Sequence, residues 1–244
     1  MELKRRQILK GITLYGTGFL LSALETPDKL LAKESKKEEG KKKGEEVTGT
    51  EDLMREHGVL RRALLVYTEM VPQLSGHASS VVAGMLQKTA KLFRDFGEDY
   101  HERKLEEAYI FPAVKKQGGP ASGLTDILFK QHQRGREITD YILSVTQGGK
   151  LDPENEAPLA KILQPFVLMY QNHTAREDTI LFTAWKKTLP AKEYDELGET
   201  FETIERQQFG EDGFEKAVRE IGEIEKALGF SDLSKFTAPP PPVK

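Results

Sequence analysis

Apolar positions recur with a helical period through most of this chain. From Phe166 to Trp185, the residues Phe166, Tyr170, His173, Glu177, Ile180, Leu181 and Ala184 fall on one helical face. An imidazole and a carboxylate therefore interrupt a stripe that should point into a core. Three other segments share the period. Between Glu51 and about Val71 the face is Leu53, Leu60, Leu64 and Tyr67, with His57 among them and Thr50 as the expected N-cap. A long helix is predicted from about Ser79 to Lys116, stopped by Gly118-Gly119-Pro120. The next, from about Gly123 to Gln147, presents Leu124, Leu128, His132, Thr139, Ile142 and Leu143 and closes at Gly148-Gly149. An acidic loop from Leu151 to Pro158 leads into the helix of His173, which Pro165 is expected to kink or restart. The connections are short, which predicts an all-α, up-down-up-down four-helix bundle over residues 50–188. Two further amphipathic helices, Ala191–Phe209 and Phe214–Leu228, are expected to pack on the bundle or on a second subunit, forming a region over 189–230. Residues 231–244 read as an extended, Pro-rich tail.

The N-terminal end has a different character. A basic start, Lys4-Arg5-Arg6-Gln7-Ile8-Leu9-Lys10, precedes an apolar stretch from Gly11 to Leu24, shorter than the roughly 20 residues that span a bilayer. The arginine pair resembles a twin-arginine signal over 1–32, departing from the usual pattern at Lys4 and Ile8. It implies export to the periplasm or cell envelope; an amphipathic helix or an uncleaved anchor is the competing reading. Any membrane contact would come through this segment alone. Residues 33–49 are Lys, Glu and Gly with almost nothing apolar, and are expected to be a disordered linker.

The chain has 244 residues, 31% of them charged, with a formal net charge of −3, so nothing in the balance points to nucleic acid. It has no Cys, which excludes disulfides, thiolate metal sites, iron–sulfur clusters and thiol catalysis. A metal site would have to use His, carboxylates or Tyr. Each of the four bundle helices carries one inward His: His57, His101, His132 and His173. Any one alone reads more simply as a satisfied core residue. Four on separate apolar stripes would need four independent partners, whereas one shared metal centre satisfies them together. His77, in the turn after the first helix, reads as a solvated loop residue.

Carboxylates complete the set. Glu177 lies one helical turn from His173. Glu106 lies five residues after His101 and would point away on a regular helix, unless a π-turn brings it back beneath the imidazole. Glu102, one turn before Glu106, is the alternative, and Glu107 is either a solvated charge or a partner behind the ligands.

The pieces LMREHGVLRR, YHERKLEEAYIFP, QHQRGREITD and MYQNHTAREDTILF, in that order, resemble a hemerythrin-like (HHE cation-binding) domain from about Glu51 to Trp185. The resemblance implies two non-haem irons in the bundle, bridged by carboxylates and an oxo or hydroxo group, with manganese or zinc as alternative occupants. It casts His57, His101, His132 and His173 as terminal ligands and Glu106 and Glu177 as bridges. The His101–Glu106 spacing exceeds the family's usual one by a residue. Oxygen-carrying members have a further His one turn after the third-helix His. Here that position is Arg136, which cannot ligate. Glu137, water or an open position is left to replace it. Arg136 is then either a partner of a ligating carboxylate, a holder of an anionic peroxide or superoxide, or a surface charge.

Three functions are consistent with these residues. One is a di-iron oxidoreductase that reacts with peroxide, O₂ or NO, fed by an unidentified redox partner protein. Another is a reversible carrier, sensor or iron-handling module without turnover. The third is a metal-free bundle for protein contact.

Overall fold

The first helix begins earlier than expected. α1 (Gly49–Met70) is capped by Thr48, whose hydroxyl accepts from the Glu51 N–H while the Glu51 carboxylate accepts from the Thr48 N–H. This reciprocal box displaces Thr50 from the cap into the first turn. Thr50 is buried there, and its N–H donates to the Tyr194 hydroxyl at 2.7 Å. A donor that the helix leaves unused is thus satisfied by a distant helix. The computed structural model describes residues 47–74 and 78–242. The expected export segment, most of the charged linker and His77 lie outside them.

α2 is one continuous rod, Ser80–Leu92, a π-helical stretch Phe93–Ile110, and Phe111–Gln117. Ser79 caps its start, and Gly118 and Gly119 end it with φ of 74° and 82°, a region open to Gly. α3 spans Ser122–Val145 and is followed by a short 3-10 turn, Gln147–Gly149. α4 runs Pro153–Arg176, a π-turn Glu177–Leu181, and Phe182–Lys186. α5 is Ala191–Phe209 and α6 is Gly213–Leu228. A single 3-10 turn, Leu233–Phe236, interrupts the tail that was expected to be extended throughout. Among the described residues there is no strand, and no helix is long and apolar enough to cross a membrane.

Three expectations for α4 are corrected. The acidic segment before Pro158 is helix from Pro153 onward, because a Pro at the first helical position lacks only an N–H that would go unused, and Glu154 and Glu156 favour the positive helix start. Pro165 does not interrupt it. Ile180, expected to face inward, is 44% exposed, while Leu181, Phe182 and Trp185 are fully buried. The π-turn adds a residue to the turn and rotates everything after Glu177.

α1 contacts α2 and α4, and α3 contacts the same two, so the four helices close around one core. Its centre is aromatic: Tyr67, Phe93, Phe166 and Tyr170 meet with ring centroids 4.8–6.4 Å apart. α6 lies on α1 and α2, where Arg62 and Glu225 pair at 2.8 Å, and α5 contacts α1 and α2.

Candidate metal centre

Four imidazoles converge inside the bundle, one from each of its helices, and none is more than 2% exposed. Their Nε2 atoms meet in two pairs. His57 and His101 are 3.0 Å apart, and His132 and His173 are 3.1 Å apart. Glu106 and Glu177, both fully buried, lie between the pairs. One Glu106 oxygen is 3.4 Å from the His101 Nε2 and the other 3.3 Å from the His132 Nε2. Glu177 Oε2 is 2.9 Å from the His173 Nε2 and 3.5 Å from that of His57, and Oε1 is 4.0 Å from the His132 Nε2. Each carboxylate therefore reaches both pairs.

The local backbone explains how Glu106 arrives there. The Phe111 N–H bonds the Glu106 carbonyl five residues back, a π-type bond, and the wide turns around it stack residues five apart. His101 and Glu106 thus share a face despite their spacing. α4 repeats the device, with the Phe182 N–H on the Glu177 carbonyl.

All four carboxylate oxygens of Glu106 and Glu177 are buried and accept no hydrogen bond. Leaving ionised carboxylates so would cost several kcal/mol each. The donor atoms also have metal-site spacing. Two nitrogens each about 2.1 Å from one ion stand about 3.0 Å apart when they subtend a right angle. Three groups of His and Glu ligand atoms are close enough to share an ion: Glu106 with His132, His173 and Glu177, Glu106 with His57 and His101, and, on the outer side of His132, Glu102 with Glu107 and His132. An all-nitrogen-and-oxygen donor set with bridging carboxylates suits iron, manganese or zinc.

Behind the ligands lies a second layer that repeats itself. Each Nδ1 faces an acceptor: His57 has Asp178 at 2.7 Å, His101 has Glu56 at 2.6 Å, His132 has Glu107 at 2.9 Å and His173 has Gln131 at 2.9 Å. An Nδ1–H held outward leaves the Nε2 lone pair aimed at the centre. The residue before the α1 or α3 histidine serves the next helix's histidine, Glu56 for His101 and Gln131 for His173. The acid after each of Glu177 and Glu106, Asp178 or Glu107, serves the α1 or α3 histidine. Arg61 donates to Asp178 and Arg136 donates to Glu107. Phe182 stacks on His57 and Phe111 on His132, both at 5.3 Å.

Without a cation the site balances its charge with protons. Burial opposes a charge on His101, but Glu106 and Glu56 outweigh it and hold the imidazole well above its ordinary range. Burial likewise opposes a charge on His132, yet Glu102, Glu106 and Glu107 raise it to about 10. His173 is pushed down to about 3 by burial and then by His132. Burial works against the Glu106 charge too, but the flanking histidines keep its carboxyl well below the usual range. Burial and the Glu106 charge push Glu177 well above it. Protons and a metal ion would compete for the same atoms.

The structure thus brings His57, His101, His132, His173, Glu106 and Glu177 together. Glu102 lies on the outer side of His132, 3.9 Å from its outer nitrogen and grouped with it and Glu107, while its oxygens accept from the Tyr170 hydroxyl at 2.7 Å and from Arg136 at 3.1 Å. Arg136 is occupied by Glu102 and Glu107 and is neither a free surface charge nor a bare anion holder. Glu137 is corrected: its side chain is 61% exposed and pairs with Arg134 at 2.8 Å, outside the cluster, because it sits one residue off the inward face of α3. Sequence reasoning missed Glu56, Gln131, Asp178 and Arg61. Their signal is an internal repeat: Glu56, His57 and Arg61 recur 75 positions later as Gln131, His132 and Arg136, and Glu106, Glu107 and Phe111 recur 71 positions later as Glu177, Asp178 and Phe182.

Comparison with known proteins agrees with this geometry. Uncharacterized proteins of Mycobacterium bovis and Mycobacterium tuberculosis are 43% identical to the chain over 192 residues, covering 78% of it and 74% of their own length. No solved structure matches it. The family model described as the Hemerythrin HHE cation binding domain matches residues 48–185, the stretch that supplies every residue of the cluster. This chain belongs to the hemerythrin HHE cation-binding family.

Proposed function

We propose that this protein is a di-iron protein that consumes peroxide in the cell envelope. The carrying observation is the set of four buried carboxylate oxygens of Glu106 and Glu177, with no aligned hydrogen-bond donor, among four inward Nε2 atoms. In this reading the bundle helices run alternately up and down, His57, His101 and Glu106 would hold one iron, and His132, His173, Glu106 and Glu177 would hold the other. Bound iron would supply the redox electrons and a position for a small ligand. The chain's own residues do the rest. Asp178, Glu56, Glu107 and Gln131 fix the imidazoles, and Phe111 and Phe182 cover two of them against water. With Arg136 in place of a fifth His, only two histidines would be available to each iron, which favours reaction with a small ligand over oxygen carriage.

The test is iron-dependent peroxide consumption by purified protein, set against an equal amount of free iron. Faster turnover supports the reading; turnover no faster than free iron defeats it. A stable, reversible oxy spectrum without turnover would assign the centre to carriage instead. The envelope location rests on the Lys4-Arg5-Arg6 segment. An Arg5→Lys, Arg6→Lys double variant should stay in the cytoplasm on fractionation, and normal export of that variant would contradict it.

A further inference from the structure

A buried acid outside the centre has no part in holding metal. Glu98 is fully buried on α2, and Glu98, Glu102 and Glu106 follow one another at four-residue spacing, all at most 2% exposed. On the wide π-helical turns of this stretch four residues fall just short of one full turn, so the three acids follow one another along the rod with a slight drift around it. The ladder ends at a bridging carboxylate. At its other end it reaches solvent. Glu98 Oε1 accepts from the Thr139 hydroxyl at 2.6 Å, and its Oε2 lies 2.8 Å from the Arg94 Nε without the alignment of a hydrogen bond. Arg94 in turn pairs with Asp140 at 2.6 Å, and the Asp140 side chain is 71% exposed. The middle acid, Glu102, accepts from the Tyr170 hydroxyl at 2.7 Å and lies 3.9 Å from the outer nitrogen of His132.

We propose that Glu98 is the station through which protons enter the metal centre, taken up from solvent beside Arg94 and Asp140 and passed inward toward the Tyr170–Glu102 pair beside His132. This rests on the di-iron reading, because reducing peroxide to two waters takes up two protons along with two electrons from a redox partner protein. The groups around Glu98 suit the task. Arg94 and Glu102 face it from its own helix, Thr139 and Arg136 from α3, Tyr67 from α1 and Tyr170 from α4. Burial first, and then the Glu102 charge, raise its pKa to about 8, so it holds a proton at neutral pH and can release it.

The test uses the iron-loaded full chain and Glu98→Gln, after iron analysis shows equal loading. The wild type should show the infrared carbonyl band of a buried protonated acid at pH 7, fading above about 8. The band should be missing from Glu98→Gln. The optical change on adding hydrogen peroxide to the reduced protein should slow in the wild type above that pH. In Glu98→Gln it should be slower by about tenfold or more at pH 7 and lose that pH dependence. Should Glu98→Gln fail to fold, Thr139→Val removes the bond that lowers the Glu98 pKa and should move the wild-type inflection upward. Wild-type rate and pH profile in an equally loaded Glu98→Gln, or an unmoved inflection in Thr139→Val, would overturn the proposal alone. No reaction of the iron-loaded wild type with peroxide would overturn both readings.

Discussion

Arg61 and Arg136 occupy matching places in the two halves of the centre. Each stands four residues after an inward histidine, and each donates to the carboxylate that holds that histidine from behind. Seen alone, Arg136 is a missing fifth ligand. Seen with Arg61, it is one of two clamps. The halves differ elsewhere: Arg136 also reaches Glu102, which carries Tyr170.

Breaking a clamp should weaken one metal position and spare the other. Arg136→Gln loosens Glu107 and with it His132, and Arg61→Gln does the same for Asp178 and His57. Loss of such an outer contact lowers metal affinity by roughly 10–100-fold. Metal titration should then resolve one tight and one weak position in each variant. Two tight positions in both would show that the clamps are ornamental.

Removing a bridge should be more damaging. Glu106→Ala and Glu177→Ala each take away oxygens shared between the histidine pairs. Each should leave less than about one firmly bound metal per chain, while the helical content stays close to wild type. Full loading in Glu106→Ala would reassign that bridge, with Glu102 the next carboxylate to examine.

Metal removal should lower stability. A metal at about 100 times its dissociation constant stabilises the fold by about 2.7 kcal/mol, which for a domain of this size is about 5–10 °C in Tm. Scanning calorimetry with and without a chelator measures the shift. An unchanged Tm would mean that the cluster is not a metal site.

Gly135 is required by a close approach. A Cβ there would lie 2.0 Å from the Tyr170 hydroxyl oxygen and 2.9 Å from Cζ. Gly135→Ala should cost about 1–3 kcal/mol and push Tyr170 off Glu102. Adding Tyr170→Phe removes the worst contact and should recover part of the loss in chemical denaturation. No recovery would place the strain elsewhere.

Glu98 gives stability a slope with pH. In the folded chain it keeps its proton up to about 8, whereas the unfolded chain releases it in the ordinary carboxylate range. The folded state therefore binds more protons between those limits, and stability falls as pH rises through that window. The difference in stability between wild type and Glu98→Gln should change across it and level off above it. Parallel curves would contradict the raised pKa.

Much of this was legible in the chain. Four histidines on four apolar stripes pointed to the cluster, and the odd His101–Glu106 spacing left a π-turn or the use of Glu102 as alternatives, because five residues cannot stack on an α-helix; the stretch is π-helical. The second π-turn left no such trace. His173 and Glu177 are regularly spaced, and the wide turn follows them, so it showed only as Ile180 outside and Phe182 inside. Glu107 could be read either way, and Asp178 and Glu56 drew no reading, because a carboxylate facing water and one facing an imidazole look alike in sequence. Only the repeat between the two halves separates them. The cap at Thr48 was hidden for another reason: Thr48 and Thr50 are both good caps, and the capping box with Glu51 decides between them.

The central claim is that Glu106, Glu177 and four histidines hold two irons. Iron quantification on protein purified from iron-replete cells, with an optical spectrum before and after peroxide, tests it most directly. The prediction is about two irons per chain and a charge-transfer spectrum that peroxide changes. Less than about half an equivalent of iron, with no spectrum, would contradict it.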